Sequence, residues 1–128
     1  MTQPFILITT STIKDGELDN VTALSTRFAD LIEEHDTGLM SFHFYIDDGG
    51  TRVSNVQVHR DAESMEAYLP VAQPLIAEAL ELTQTEAIDV FGAPGPMFQQ
   101  VLRMNAEQGA IVRVMPRHLV GFTTAARV

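Results

Sequence analysis

Six side chains in this 128-residue chain have types and spacing suited to small-molecule chemistry: His43, Tyr45, Asn55, Gln57, His59 and Asp89. His43 and His59 are the acid–base candidates, because an unperturbed imidazole titrates near neutral pH. Tyr45 can orient an oxygen, and Asn55 and Gln57 can read a carbonyl or hydroxyl group. Asp89 interrupts the apolar run Ala87-Ile88-Asp89-Val90-Phe91. Burial would raise its pKa and make it a base, and pairing with Arg113 explains it equally simply. Each group also has an ordinary role open to it: a solvated or structural histidine, a packed tyrosine, an amide facing water.

Five of the six lie in residues 39–60, which read as two strands joined at Asp47-Asp48-Gly49-Gly50. Alternate strand residues share a face. Met40, Phe42, Phe44 and Ile46 therefore form one row of the first strand, and Ser41, His43, Tyr45 and Asp47 the other. In the second strand Val56 and Val58 oppose Asn55, Gln57 and His59. Without a bulge, paired positions have the same parity, so the two histidines share a polar face. A loop of residues 48–50 pairs Asp47 with Thr51, His43 with Asn55 and His59 with Leu39. It leaves the histidines roughly 13 Å apart along the sheet. A loop of residues 49–51 sets His59 opposite Ser41 and makes the histidines diagonal neighbours at roughly 7–8 Å. The first register forbids a shared metal, and glycine at the last loop position favours it. No metal site is expected.

These residues need elements to hold them. Residues 5–13 are rich in β-branched side chains and read as a strand. Over 18–35, Leu18, Val21, Leu24, Phe28, Leu31 and Ile32 recur at helical spacing, with Asp15, Asp19 or Asn20 as the cap and Gly38 as the stop. After the hairpin, Asp61 caps a two-turn helix that should break at Pro70, and a second should restart near Gln73 or Pro74. Residues 86–91 read as a fourth strand, 97–106 as a short helix and 110–115 as a fifth strand. Leu119–Thr124 reads as an edge strand or arm. The order predicts a single α+β domain over 1–128, with a core at 4–92 and a C-terminal extension at 93–128. Its core is a ferredoxin-like βαββαβ antiparallel sheet with helices on one face. The row Phe42, Phe44, Ile46, Val56 and Val58 is expected to face those helices. Phe5, Leu7, Val53 and Phe91, or their alternates, would then add apolar area to the uncovered face, and pairing two such faces removes it from water at about 25 cal/mol per Å².

Composition narrows the function classes. Net charge is −9, which argues against a nucleic-acid partner. No apolar run approaches a membrane span, and the apolar Phe5–Ile8 segment lacks the basic flank of a signal peptide. The absence of cysteine removes disulfides and thiolate metal sites, with a reducing cytoplasm as the expected location. Four basic and sixteen acidic residues precede position 103, whereas Arg103, Arg113, Arg117 and Arg127 follow against Glu107 alone. This basic end can dock on the acidic body or on a neighbouring subunit, or one arginine can hold a substrate anion. A phosphate loop, a nucleophile elbow and a His-x-x-x-His metal helix are all missing from the sequence.

The succession of strand, Lys14-Asp15-Gly16, helix, Gly38-Leu39, hairpin and the helix opening Arg60-Asp61-Ala62-Glu63-Ser64 resembles the dimeric α/β-barrel superfamily, in its antibiotic-biosynthesis-monooxygenase-like branch. The resemblance covers roughly residues 4–92. It implies a homodimer joined through the open sheet face, and a ligand held between sheet and helices or within the barrel. Superfamily members include cofactor-free oxygenases, haem-degrading enzymes, dehydratases and isomerases. This chain departs from the pattern: Tyr68 stands about where many members have a histidine, tryptophan is absent, and the first strand lacks an asparagine. No catalytic residue is carried over, and haem degradation is disfavoured. The resulting expectation is a cofactor-free monooxygenase or related enzyme acting on a small apolar or aromatic molecule, with no cofactor. The alternative is a non-catalytic small-molecule-binding or interaction protein on the same fold.

Overall fold

The computed structural model describes residues 3–124. Its elements run β1 (Phe5–Ile13), α1 (Leu18–Glu33), β2 (Leu39–Ile46), β3 (Arg52–His59), α2 (Ala62–Leu82), β4 (Thr83–Phe91), α3 (Pro96–Glu107) and β5 (Ile111–Met115). The sheet order is β2-β3-β1-β4-β5. The first four strands pair antiparallel, and β5 adds to β4 in parallel. The result is the expected ferredoxin-like α+β arrangement, with a mixed sheet once β5 is included.

The inner face of β1 is formed by Phe5, Leu7, Thr9, Ser11 and Ile13, which stand beside His59, Gln57, Asn55 and Val53 of β3. Helix α1 buries Val21, Leu24, Phe28 and Ile32, the stripe its spacing predicts. Phe28 packs on Phe42 and Tyr68 at ring-centroid distances of 5.4 and 6.4 Å. Glu17, and none of the three residues named as candidate caps, occupies the position that opens α1. The helix ends before Gly38, which instead takes φ +90° at the entry to β2.

Helix α2 corrects the expected break: it is continuous through Pro70 and Pro74. Each interior proline removes a backbone donor and costs about 3 kcal/mol. Both prolines are exposed, while Tyr68, Leu69 and Ala72 are buried in the core. Burial of that face offsets the local penalty. Asp61 caps α2 as expected, its Oδ1 accepting from the Ser64 backbone N–H at 2.9 Å.

The hairpin register is the second correction. Leu39 stands opposite His59, but Ser41 stands opposite Val58 and His43 opposite Val56. Met40 is therefore an extra residue in β2, a bulge, and from there on pairing joins odd to even positions. Phe42 and Phe44 face the helices together with Asn55, Gln57 and His59. Val56 and Val58 turn to the open face with His43 and Tyr45. The turn is a four-residue loop, 48–51, closed by the Asp47 carboxylate, which accepts from the Thr51 N–H at 2.8 Å and the Arg52 N–H at 3.1 Å. The Thr51 hydroxyl, which donates to the same carboxylate at 2.7 Å, and these backbone bonds hold the Asp47 carboxyl below its ordinary pKa. Phe5, Leu7 and Val53 likewise face inward. Their neighbours Ile6 and Ile8 join Phe91 on the uncovered side.

The chain from 116 to 124 forms no strand, so the arm is the form that the structure shows. Leu119, Val120 and Phe122 on it are highly exposed.

Candidate functional site

Between the inner face of the sheet and the three helices lies a cavity of about 640 Å³. Phe28, Phe44, Leu24, Ile76 and Phe98 give it apolar walls, and Asn55, Gln57 and the Tyr68 hydroxyl supply polar groups. None of its lining residues among those described is charged or a histidine. Such a wall suits a neutral, largely apolar molecule with a few polar atoms.

The polar groups form one connected chain. Ser64 Oγ and His59 Nδ1 are 2.8 Å apart, and His59 Nε2 and Gln57 Oε1 are 2.8 Å apart. Gln57 Nε2 donates to Asn55 Oδ1 and, at 3.1 Å, to the Tyr68 hydroxyl. Asn55 Nδ2 donates to the backbone carbonyl of His43 at 3.2 Å. Strand alternation delivers Asn55, Gln57 and His59 to one face. The Asp61 cap fixes the start of α2, so that Ser64 and Tyr68, four residues apart, project from one side of that helix toward the sheet.

His59 is 0% exposed, wedged edge-on against Phe5 and Tyr68 at centroid distances of 6.3 and 5.6 Å. Loss of water lowers its pKa to about 4, opposed only by the nearby Asp61 charge. The ring is therefore neutral at physiological pH. Burial also pushes the Tyr68 hydroxyl well above its ordinary value, partly offset by the bond from Gln57, so it remains a protonated donor.

The structure brings Asn55, Gln57 and His59 together and separates them from the other three predicted residues. His43 and His59 face opposite sides of the sheet, which corrects the expected shared face. The Met40 bulge is the cause. His43 is exposed beside Tyr45, with ring centroids 6.3 Å apart. Asp89 also lies on the open side, where Arg113 donates to its two carboxylate oxygens at 2.6 and 3.2 Å. That hydrogen-bonded guanidinium holds the Asp89 carboxyl below its usual range, opposite to the raised pKa of a buried base. Of the basic residues near the end of the chain, Arg113 is thus paired with the acidic body. Arg127 lies outside the described residues. Tyr68 and Ser64 were missed as site residues. Their signal was available in the Asp61 cap, which places both on the first turns of α2.

No family model matches the sequence, and comparison with curated proteins finds no match. Solved structures do match. MupZ from Pseudomonas fluorescens superposes with a TM-score of 0.71 at 16% identity, over 97% of this chain and 99% of that one. SnoaB, a cofactor-independent oxygenase from Streptomyces nogalater, gives 0.61 at 16% identity, over 73% and 96%. A proposed antibiotic biosynthesis monooxygenase from Chloroflexus aurantiacus gives 0.54 at 22%, over 65% and 84%. At these identities the likeness is one of fold. The shared fold is the ferredoxin-like α+β arrangement, and the match to MupZ, over 97% of this chain, takes in α3 and β5 as well.

Proposed function

We propose that this chain binds a small, largely apolar or aromatic molecule in the sheet–helix cavity and acts on it as a cofactor-independent oxygenase or a related enzyme. The observation that carries the reading is the uncharged cavity of about 640 Å³ with its row of amide and hydroxyl groups. Oxygenation without a cofactor needs an electron-rich substrate that loses its proton to solvent on ionising, passes one electron to dioxygen and then bonds to the superoxide so formed. A protein assists by excluding water and by donating hydrogen bonds to the oxygen on which charge develops. Apolar walls meet the first need, and Asn55 and Tyr68 meet the second. The fold shared with SnoaB supports the same reaction class.

In this reading Asn55 and Gln57 touch the ligand, and His59 acts behind Gln57. His43, Tyr45 and Asp89 belong instead to the open face, which we read as the surface joining two copies of the chain. Ile6, Ile8, Val56 and Val58 are half-buried there, with Phe91 and Met115 exposed. The uncharged wall also suits a binding protein without turnover.

Dioxygen uptake with a panel of hydroquinones and electron-rich phenols tests the enzyme reading. Saturable uptake is expected, falling at least tenfold in Thr9→Phe, which fills the cavity from β1. Binding without uptake anywhere on the panel selects the non-catalytic reading. Full uptake in Thr9→Phe shows that the reaction takes place elsewhere.

A further inference from the structure

We infer that the cavity presents two fixed hydrogen-bond donors, the Tyr68 O–H and the second Asn55 N–H, to an acceptor oxygen of the ligand, through a hydrogen-bond chain whose direction is set at the His43 carbonyl and closed at the buried His59 ring. The inference rests on the cavity being the ligand site and names the ligand class: molecules bearing a carbonyl, quinone or oxyanion oxygen.

The argument starts from a group that cannot change its role. The His43 backbone carbonyl only accepts, so the Asn55 atom facing it is the amide nitrogen. Asn55 Oδ1 then faces Gln57, and the Gln57 atom that meets it must be its own nitrogen. The same nitrogen lies 3.1 Å from the Tyr68 hydroxyl and spends its second hydrogen there. Gln57 Oε1 is left for His59, so His59 must carry its proton on Nε2. Nδ1 then holds a lone pair, and Ser64 Oγ–H donates to it. Every link has one consistent direction.

Two donors remain at the end of this chain. The Tyr68 oxygen accepts from Gln57, and its own O–H meets no acceptor among the described residues. Tyr68 is 2% exposed and lines the cavity. A buried hydroxyl with an unspent hydrogen costs stability unless a ligand or water takes it. Asn55 Nδ2 likewise has one hydrogen beyond the bond to His43. Both residues line the cavity, and both meet the same Gln57 nitrogen, Asn55 through Oδ1 and Tyr68 through its hydroxyl oxygen. A ligand offering only donors leaves both of these hydrogens unspent, whereas one with an acceptor oxygen can take them.

Two measurements test this on the full chain. Equilibrium dialysis compares 1,4-naphthoquinone, which only accepts, with naphthalene, which has no polar atom. The chain has no cysteine for the quinone to alkylate. The wild type should prefer the quinone by at least tenfold. Tyr68→Phe should lower that preference about tenfold while leaving naphthalene binding within twofold. Nitrogen-15 NMR of histidine-labelled wild type should show His59 with a pyrrole-like Nε2 and a pyridine-like Nδ1, and this holds the test even if Tyr68→Phe fails to fold. Equal binding of both probes, a preference that survives Tyr68→Phe, or a proton on His59 Nδ1 overturns the inference and leaves the cavity reading standing. Failure of the wild type to bind either probe overturns both.

Discussion

His59 and His43 sit on neighbouring strands of one sheet, yet they occupy opposite physical worlds. His59 has both ring nitrogens bonded and no exposed surface. His43 stands exposed on the other face, near Tyr45. The same contrast holds for the faces themselves. The inner face buries a directional polar chain among aromatic rings, where every bond is strong and every loss is costly. The outer face carries half-buried aliphatic side chains and an Asp89–Arg113 pair whose arginine is largely exposed, where charges are screened. A histidine in a strand therefore says little until the side of the sheet is known. In this chain the side that looked polar from sequence is divided between the two.

The largest test of this contrast is a pair of alanine substitutions. His59→Ala should destabilise the fold by about 4 kcal/mol, because it opens a cavity beside Phe5 and Tyr68 and leaves Ser64 and Gln57 without partners. His43→Ala should stay within about 0.5 kcal/mol. Urea unfolding at pH 7 measures both, and equal losses would erase the distinction.

Acid should sharpen it further. The folded protein holds His59 at a pKa of about 4, against 6.5 when the chain is unfolded. Between those values the unfolded chain binds the proton and the folded one does not. Stability should therefore be full above pH 6.5, decline as pH falls, and lose about 3 kcal/mol by pH 4 from this group alone. Urea midpoints across pH 4 to 7 should show this slope in wild type and in His43→Ala. A wild-type profile no steeper than that of His59→Phe would mean that His59 is not desolvated in this way.

The smallest expected effect on folding lies on the outer face. Val56→Lys places a charge there, with only a slight change in monomer stability. If that face joins two copies, sedimentation should show dimer association weakened at least tenfold from wild type. Unchanged association would move the interface elsewhere.

Much of the fold is legible in the sequence. The stripe Val21, Leu24, Phe28 and Ile32 announced α1, Asp61 announced the start of α2, and the Asp47-Asp48-Gly49-Gly50 run announced the hairpin turn, in which Gly50 takes φ +66°. These signals are local, because a helix period, a cap and a turn are each set by a few consecutive residues. The rows Asn55-Gln57-His59 and His43-Tyr45 were legible for the same reason. Pairing with Arg113 is one of the two roles the sequence offers Asp89, and the parallel addition of β5 to β4 brings the two together.

What the sequence could not supply was the relation between those rows. Met40 carries no glycine, proline or other mark of a bulge, and one inserted residue inverts the facing of everything paired after it. The bulge lets Phe42 and Phe44 pack on Phe28 while Gln57 and His59 meet Tyr68 and Ser64 from α2. The unbroken course of α2 through Pro70 and Pro74 is a decision of the same kind, made by the buried face of the helix against its own local preference. The sequence by itself determined the elements, their order and the alternation within each strand. Only the tertiary structure decided which side of the sheet each row faces, because strand register is settled by contacts between residues far apart in the chain.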